Sequence, residues 1–262
     1  SRVSVLTMYP GGDIHAAYGH TAIRISDPNL PLDAVFNYGM FEFHDNWFIL
    51  KFMRGQLDYA LGVEAFPDVM DTYKASDRSV VEQVLDIPLS ARKVMFSFLA
   101  NNSLPENRTY RYDFIVDNCS TRPRDVIELA LPSLRYDETK AQRGETFRDL
   151  LQQYVGNDTF IGLGTHLLMA MPVDRVPTYR QRAFLPLEYA GVSDSGILGA
   201  LNWPTERLFG WPTMDMPHPR TPWPAITFWI LFGVAVLGTL DAVIRRRPIS
   251  PGTRTIDAGS FT

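Results

Sequence analysis

The chain has 262 residues and a formal net charge of −4 at pH 7, with 45% hydrophobic and 21% charged residues. This composition is ordinary for a folded core and argues against disorder, and no basic cluster is dense enough to predict a nucleic-acid partner. The single cysteine excludes an intramolecular disulfide and a metal site built from paired cysteines. Because the first residue is Ser1 and no signal sequence is visible at this end, we expect a mature or trimmed chain.

Alternating apolar segments in the first half of the chain predict strands. Val3–Met8 is a short segment rich in β-formers, and Thr21–Ile25 alternates between two faces. Residues 34–43 predict further strand structure, interrupted at Gly39. The segment 80–87 is ambiguous between strand and helix.

Helices are predicted mainly in the second half. Ser90 is a candidate cap for a helix over residues 91–100, and a half-buried strand follows at 110–114. Helical spacing resumes after residue 119 until Pro132 ends it, and a further helix is predicted over 145–156. Strands and helices are mixed without regular alternation, so the sequence predicts an α+β fold rather than a doubly wound sheet.

The segment Pro222–Ile244 has the length and apolar composition of a transmembrane helix. Its single charge is Asp241, and Trp223 suits a membrane interface. A buried core helix is the alternative, but the basic residues 245–247 that follow directly favour a membrane span. Because basic flanks stay on the cytoplasmic side, the large N-terminal part is expected to face the periplasm or the cell exterior.

These features predict four parts. A folded domain is expected over residues 1–171, followed by a proline-rich extension over 172–221 that packs on the domain and leads to the membrane. The transmembrane helix is expected over 222–244, and a basic, disordered cytoplasmic tail over 245–262.

Cys119 follows a polar segment and precedes a predicted helix, which is a favourable place for a nucleophile. Unpaired N–H groups and the positive end of the helix dipole favour a thiolate and can hold the oxyanion of an attacked carbonyl. Because Pro123 would clash with an earlier carbonyl, the helix is expected to start near Arg122, with Ser120 or Thr121 as its cap. A small buried hydrophobic residue is the alternative interpretation of Cys119.

His20 and Asn37 are the candidate base and the residue that orients it. An imidazole can take a thiol proton near neutral pH, and Asn37 faces the same side as His20 if the two predicted strands pair in the right register. A satisfied histidine and a turn asparagine are the alternatives, since His20 lies 99 positions before Cys119. The other histidines show no ligand spacing, so we expect neither a metal site nor a cofactor. The aromatic segment 36–52 is expected to be core, part of it lining an acyl channel.

Several motifs occur together in one order: Gly19-His20-Thr21-Ala22-Ile23-Arg24, Phe36-Asn37-Tyr38-Gly39, Lys51-Phe52 with Gly55, Glu106-Asn107-Arg108 with Tyr110 and Tyr112-Asp113-Phe114, and Asp117-Asn118-Cys119-Ser120-Thr121-Arg122 with Arg124-Asp125. Over roughly residues 3–160 the chain resembles the outward-facing domain of Lnb-type bacterial lipoprotein N-acyltransferases.

The resemblance implies a circularly permuted papain-like fold, related to NlpC-like amidases, in which the histidine precedes the cysteine and Asn37 is the third polar residue. It implies that Cys119 takes an acyl chain from a membrane phospholipid as a thioester and passes it to the α-amine of a lipoprotein's N-terminal diacylglyceryl-cysteine. The expected location is the bacterial inner membrane, with the catalytic domain in the periplasm. The candidate substrate-binding residues are Tyr18, Tyr38, Arg122 and Arg124, the two arginines as ligands of a lipid phosphate.

Two other functions fit the same residues. A cysteine peptidase or amidase acting on cell-wall peptides would use the same catalytic groups, although the membrane anchor favours a lipid substrate. A membrane-tethered binding module, in which Cys119 is only structural, would need no catalysis at all.

Overall fold

The computed structural model describes residues 1–12, 16–40, 58–141, 144–156, 159–169, 171–194, 205–210 and 222–245. Seven of the described segments form one antiparallel sheet. They are β1 (Arg2–Met8), β2 (His20–Asp27), β3 (Leu32–Met40), β4 (Asp58–Ala65), β5 (Val80–Val84), β6 (Thr109–Arg111) and β7 (Thr205–Phe209). Their order across the sheet is β6-β4-β3-β2-β1-β5-β7.

Helices lie between and after the strands. They are α1 (Phe66–Ala75), α2 (Leu89–Asn102), α3 (Thr121–Ala130), α4 (Phe147–Val155), α5 (Phe160–Met169), α6 (Tyr179–Arg182), α7 (Pro186–Asp194) and α8 (Trp223–Arg245). The mixture of one antiparallel sheet with helices, and the apolar helix near the C-terminus, agree with the predicted α+β class.

One face of the sheet forms the larger core. Ile23, Phe36 and Leu61, one from each of the neighbouring strands β2, β3 and β4, point to this face. They pack with Met95 of α2 and Ile127 of α3. All five side chains are buried, so removal of their apolar surface from water stabilises both the sheet and the position of α3. This packing matters for the site because α3 follows Cys119 directly.

The other face of the sheet is covered by α1, whose Val69 and Met70 pack on Leu6, Ala22 and Val35. Since successive strand residues point to opposite faces, the even-numbered positions of β2 share this side of the sheet. His20 belongs to that set, at the first position of β2.

A third core joins the later helices to the segment before β2. Phe147 and Leu150 of α4 pack with Ala17 and with Phe184 and Leu185, which lie between α6 and α7. This packing ties described residues between 173 and 194 to the domain, and β7 joins the sheet by pairing with β5. The expected boundary after residue 171 stays a prediction.

The structure corrects two predicted boundaries and resolves one ambiguous segment. Helix α2 begins at Leu89 after Pro88, so Ser90 lies inside its first turn and is not its cap. Strand β6 ends at Arg111, because backbone hydrogen bonds between Asp113 and Asp117 close a turn there. The ambiguous segment at 80–87 is a strand over its first part, and the predicted strand residues 41–43 lie outside the described residues.

Helix α8 contains a stretch, Trp223–Asp241, of 19 residues with a mean hydropathy of 1.8, none of it buried. Its length and composition suffice to cross a membrane. The basic residues 246 and 247 and the predicted disordered tail lie outside the described residues.

Glu82 of β5 organises a polar group beneath α1. Its almost fully buried carboxylate (1% exposed) accepts hydrogen bonds from Arg2 (2.9 Å), Arg24 (3.2 and 3.3 Å) and the Ser4 hydroxyl. Asp33 holds the other side of Arg24 at 2.7 and 2.8 Å. Four strands, β1, β2, β3 and β5, are therefore linked by charge on one face of the sheet.

We predict that Glu82→Gln destabilises the fold by about 3 kcal/mol or more, because removing one member of a buried ion pair leaves the arginine charge uncompensated. Asp58→Asn is the matched control, since Asp58 and its partner Arg111 are both exposed, and we expect a loss below about 1 kcal/mol. Urea unfolding followed by circular dichroism of the full chain in detergent measures both. Equal losses would contradict the structural role of Glu82.

Candidate active site

The turn that presents Cys119 is built around the buried side chain of Asn118. Its Oδ1 accepts hydrogen bonds from the backbone N–H groups of Ser120 (2.8 Å) and Thr121 (2.9 Å). Its Nδ2 donates to the carbonyl groups of Phe114 (2.6 Å) and Phe184 (2.9 Å). Asn118 therefore satisfies N–H groups at the start of α3, a role that the sequence assigned to Ser120 or Thr121.

Helix α3 starts at Thr121, so Cys119 lies on the turn just ahead of it, as predicted. The predicted clash is avoided because Pro123 falls in the first turn, where a missing N–H leaves no hydrogen bond unmade. Ser120 occupies the cap position without a capping hydrogen bond from its side chain. Its hydroxyl instead lies 3.0 Å from the Thr21 hydroxyl.

This contact brings Cys119 against the start of β2. Cys119 is partly exposed. Burial raises the pKa of its thiol above the usual value, while hydrogen bonds from the Thr21 backbone and the Ser120 side chain, and the positive charge of Arg78, lower it less strongly. The protonated thiol therefore predominates at neutral pH, whereas the sequence predicted a favoured thiolate. The thiol lies within hydrogen-bonding reach of the residue that follows His20.

His20 is the first member of a chain of three polar side chains. Its Nε2 lies 2.6 Å from Oδ1 of Asn37, and Nδ2 of Asn37 donates to the carboxylate of Glu64 at 2.9 Å. A carboxylate only accepts, so Glu64 orients the amide with its oxygen toward the imidazole. Nε2 of His20 is then the donor, and Nδ1 is the basic nitrogen.

Burial lowers the pKa of His20 to about 4, and it outweighs the hydrogen bond to Asn37 and the charge of Glu64, which raise the pKa. The positive charge of Arg78 lowers it further. His20 is therefore neutral at physiological pH, which is the state that a proton acceptor needs.

Gly39 makes room for the imidazole. A Cβ at this position would lie 2.7 Å from Cε1 of His20 and 3.3 Å from Oδ1 of Asn37, closer than real Cβ contacts allow. The glycine is thus required by the close approach of the His20 ring to β3.

Arg78 supplies positive charge to this region. It lies after α1, where its Nε donates to the carbonyl of Tyr9 (2.9 Å) and its guanidinium lies over the Tyr73 ring, 4.7 Å from the centroid. Its charge acts on the pKa of both Cys119 and His20. It therefore favours an anion at the thiol and the neutral form of the imidazole.

A group of aromatic side chains lies within electrostatic range of Cys119. Tyr59 and Tyr112 stack with centroids 4.2 Å apart, and Phe114 lies next to Tyr112 at 6.5 Å. Burial, together with the nearby charge of Cys119, raises the pKa of the Tyr59 and Tyr112 phenols. These rings provide apolar surface in the region of the sulfur.

The structure brings His20 and Asn37 together as predicted. The four candidate substrate-binding residues all have protein partners, and their contact with a substrate stays a prediction. Tyr18 packs edge-on against Phe114, with centroids 4.9 Å apart. Tyr38 is almost fully buried (1% exposed), and its hydroxyl donates to Asn102 at 2.6 Å, so its side chain belongs to the core.

The two arginines already have protein partners. Arg122 forms two hydrogen bonds with Asp117, at 2.5 and 2.7 Å, and lies over the Tyr110 ring. Arg124 is buried and pairs with Asp125 at 2.7 Å. Binding of a lipid phosphate by either arginine stays a prediction, and it would compete with these carboxylates.

Sequence reasoning missed Glu64 and Arg78. Glu64 lies on β4, a strand without a catalytic motif, and Arg78 follows the turn after α1. The sequence feature that could have indicated Glu64 is its position in an alternating segment, β4, that pairs with β3. In that pairing Glu64 lies opposite Val35. Among the described residues no group of three histidine, cysteine, aspartate or glutamate side chains is arranged to hold a metal ion.

Comparison with known proteins identifies one family. Residues 1–153 match the family described as the Lnb N-terminal periplasmic domain, which confirms the resemblance noted in the motifs. The matched part is more than half of the 262 residues and includes His20, Asn37 and Cys119. No curated protein and no solved structure matches the chain.

We predict that Gly39→Ala slows alkylation of Cys119 by iodoacetamide, because the added methyl group displaces the imidazole from its place beside β3. As the chain has one cysteine, mass spectrometry of the intact protein reports this thiol alone. Gly12→Ala is the control, since nothing lies within 4 Å of a Cβ there. An unchanged alkylation rate in Gly39→Ala, with the fold intact, would show that the imidazole does not influence the thiol.

We also predict that one of the five histidines titrates near pH 4, and that its signal disappears in His20→Gln. The folded pKa lies below that of an unfolded histidine, about 6.5. The unfolded chain therefore binds the proton first, and this group weakens stability as the pH falls from about 6.5 toward 4. Nuclear magnetic resonance of histidine-labelled protein measures the titration; five imidazoles that all titrate near the ordinary value would exclude the buried, neutral His20.

Proposed function

Because this chain belongs to the family of the Lnb N-terminal periplasmic domain, we propose that it is a thiol acyltransferase that completes bacterial lipoproteins. The family indicates a membrane-anchored acyltransferase-like protein whose domain faces the periplasm, with α8 as the candidate anchor. The proposed donor is a phospholipid of the inner membrane. The proposed acceptor is the α-amine of a diacylglyceryl-modified N-terminal cysteine.

In the first half of the proposed reaction, Nδ1 of His20 takes the proton of the Cys119 thiol as Sγ attacks the ester carbonyl of the donor. Both groups start neutral, so proton transfer accompanies the attack instead of preceding it. The bond between the carbonyl carbon and the glycerol oxygen breaks. The imidazolium returns its proton to that oxygen, a lysophospholipid leaves, and a thioester remains on Cys119.

In the second half, the α-amine attacks the thioester and loses a proton to His20. The carbon–sulfur bond breaks, and the sulfur regains a proton from the imidazolium, which restores the starting state. An amine is a better nucleophile than water, so transfer exceeds hydrolysis where water is excluded. The stacked rings of Tyr59 and Tyr112, within electrostatic range of Cys119, favour the exclusion of water.

The observation that carries this proposal is the chain from His20 through Asn37 to Glu64. It orients the imidazole and leaves Nδ1 as the basic nitrogen. Cys119 contacts the backbone of Thr21, the residue that follows His20. An oriented base and a nucleophile at the start of a helix are the two groups that covalent catalysis requires. The order of histidine before cysteine also supports the circularly permuted papain-like fold, which we propose for this domain.

The charge of Arg78 fits the same chemistry. A positive group close to the sulfur stabilises the thiolate that forms during attack, and it stabilises the negative oxygen of a tetrahedral intermediate.

We predict that Cys119→Ser and His20→Ala reduce lipoproteins from three acyl chains to two in cells that lack the native gene. Loss of the nucleophile abolishes transfer, and loss of the base lowers its rate by roughly 100- to 10,000-fold. Mass spectrometry of lipoprotein N-terminal peptides measures the chain number. Lys93→Gln, on the exposed side of α2, is the control that should retain three chains.

Each rival function gives a different result in that experiment. Three chains with Cys119→Ser would contradict catalysis and support a binding module. Unchanged lipoproteins with altered cell-wall peptides would support an amidase. Phospholipid with a labelled acyl chain tests the donor: label on the α-amine is the expected result. An unlabelled N-acylated product with only two chains in total would instead point to transfer from the acceptor's own diacylglyceryl group.

A further inference from the structure

Helix α5 carries an apolar stripe that no described part of the protein covers. Its sequence, FIGLGTHLLM, contains no acidic or basic residue apart from one histidine. Phe160, Leu163 and Leu167 are 56, 41 and 72% exposed. They are three and four positions apart in turn, so they lie on one side of the helix.

The other side of α5 is held against the protein. The Gly162 N–H donates to the Thr159 hydroxyl at 2.8 Å, and that hydroxyl donates to the carbonyl of Val155 at 2.7 Å. Gly162 approaches the carbonyl oxygen of Gly156 so closely that a Cβ would lie 2.0 Å from it. Met169 packs on the core around α4. The rotation of α5 is therefore set, and its apolar stripe faces away from the core.

Helix α5 also contacts α8, the candidate membrane span. None of the apolar stretch of α8 is buried by the protein, so lipid is the medium that its side chains fit. An uncharged helix with an exposed apolar face next to such a span lies where the membrane surface must come close to the domain. Apolar surface exposed in this way marks an interaction site.

We propose that α5 is a second membrane contact, which lies in the interface of the outer leaflet of the same bilayer that α8 spans. The occupant of the stripe is lipid: the apolar face of a helix that lies in the membrane interface is buried about 5–10 Å into the boundary between headgroups and acyl chains. Helix α5 lacks the charged opposite face of such helices, and that side packs on the protein instead. The inference rests on membrane anchoring by α8, and it does not depend on acyl transfer.

The contact would set the position of the candidate active site. Helix α5 follows α4, whose Tyr154 ring lies 5.9 Å from that of Tyr18. Tyr18 packs on Phe114, which begins the turn that carries Cys119. Two attachments, α8 and α5, fix the orientation of the domain at the membrane surface. Attachment through α8 alone would leave the domain free to rotate.

The test uses the full chain in vesicles of equal parts phosphatidylcholine and phosphatidylglycerol. In a Cys119→Ser background, Leu163→Cys and Leu167→Cys are labelled with an environment-sensitive fluorophore. Leu30→Cys is the matched control, since Leu30 is 60% exposed in the turn between β2 and β3. We expect blue-shifted emission at 163 and 167, quenched by nitroxide on the lipid acyl chains and not by aqueous iodide, and the reverse at 30.

Two results would overturn the contact. One is emission and quenching at 163 and 167 equal to those at 30. The other is protection from iodide without quenching by the lipid nitroxide, which would assign the stripe to a protein partner. Because the labelled proteins lack the thiol, the result is independent of the proposed reaction.

A second pair of variants separates membrane contact from folding. Leu163→Glu combined with Leu167→Glu should lower acyl transfer from vesicle phospholipid, while alkylation of Cys119 by iodoacetamide keeps its rate. Leu30→Glu should change neither. Undiminished transfer in the double variant would contradict a role of α5 in placing the site at the membrane.

Discussion

The hydrogen bond between His20 and Asn37 is the interaction on which the candidate site depends. It spans two neighbouring strands, and its direction is set from a third strand by the carboxylate of Glu64. The sheet thus determines which nitrogen of the imidazole carries the proton and which one is basic. Gly39 provides the space that the ring needs. Without the hydrogen bonds through Asn37 to Glu64, His20 would be a buried imidazole with no defined tautomer. A neutral imidazole with a pKa near 4 would then not present a defined basic nitrogen to a thiol.

The turn that carries Cys119, together with helix α3, is held on the sheet by packing. Helix α3 is held on the sheet by Ile127 in the larger core, and the turn ahead of it is held by Asn118, which bridges to the carbonyl of Phe184. Residues far beyond the matched family region therefore support the turn of the candidate nucleophile. The energetic basis is ordinary core burial together with satisfied polar groups, so the site gains its order from the fold as a whole.

Local patterns predicted much of this structure. Strand alternation located β1 and β2, helical spacing located α3 and α4, and the register of two adjacent strands was enough to pair His20 with Asn37. The meeting of Cys119 with β2 could not be predicted from spacing, since 99 residues separate it from His20 and the contact depends on how α3 packs. Glu64 and Arg78 were missed for the same reason: a charged residue on a strand or turn shows its function only once the tertiary neighbours are known. Strand β7 was not predicted, because it lies in a proline-rich segment with little periodicity.

The central claim is that the thiol of Cys119 carries the acyl chain with the help of His20. Intact-mass measurement of the full chain, incubated with phospholipid vesicles and no amine acceptor, addresses it directly. The account predicts an acyl adduct on Cys119 that hydroxylamine removes, that is absent in Cys119→Ser, and that forms far more slowly in His20→Ala. Acyl transfer to a lipoprotein without such an adduct, or an adduct that forms as fast without the imidazole, would contradict it.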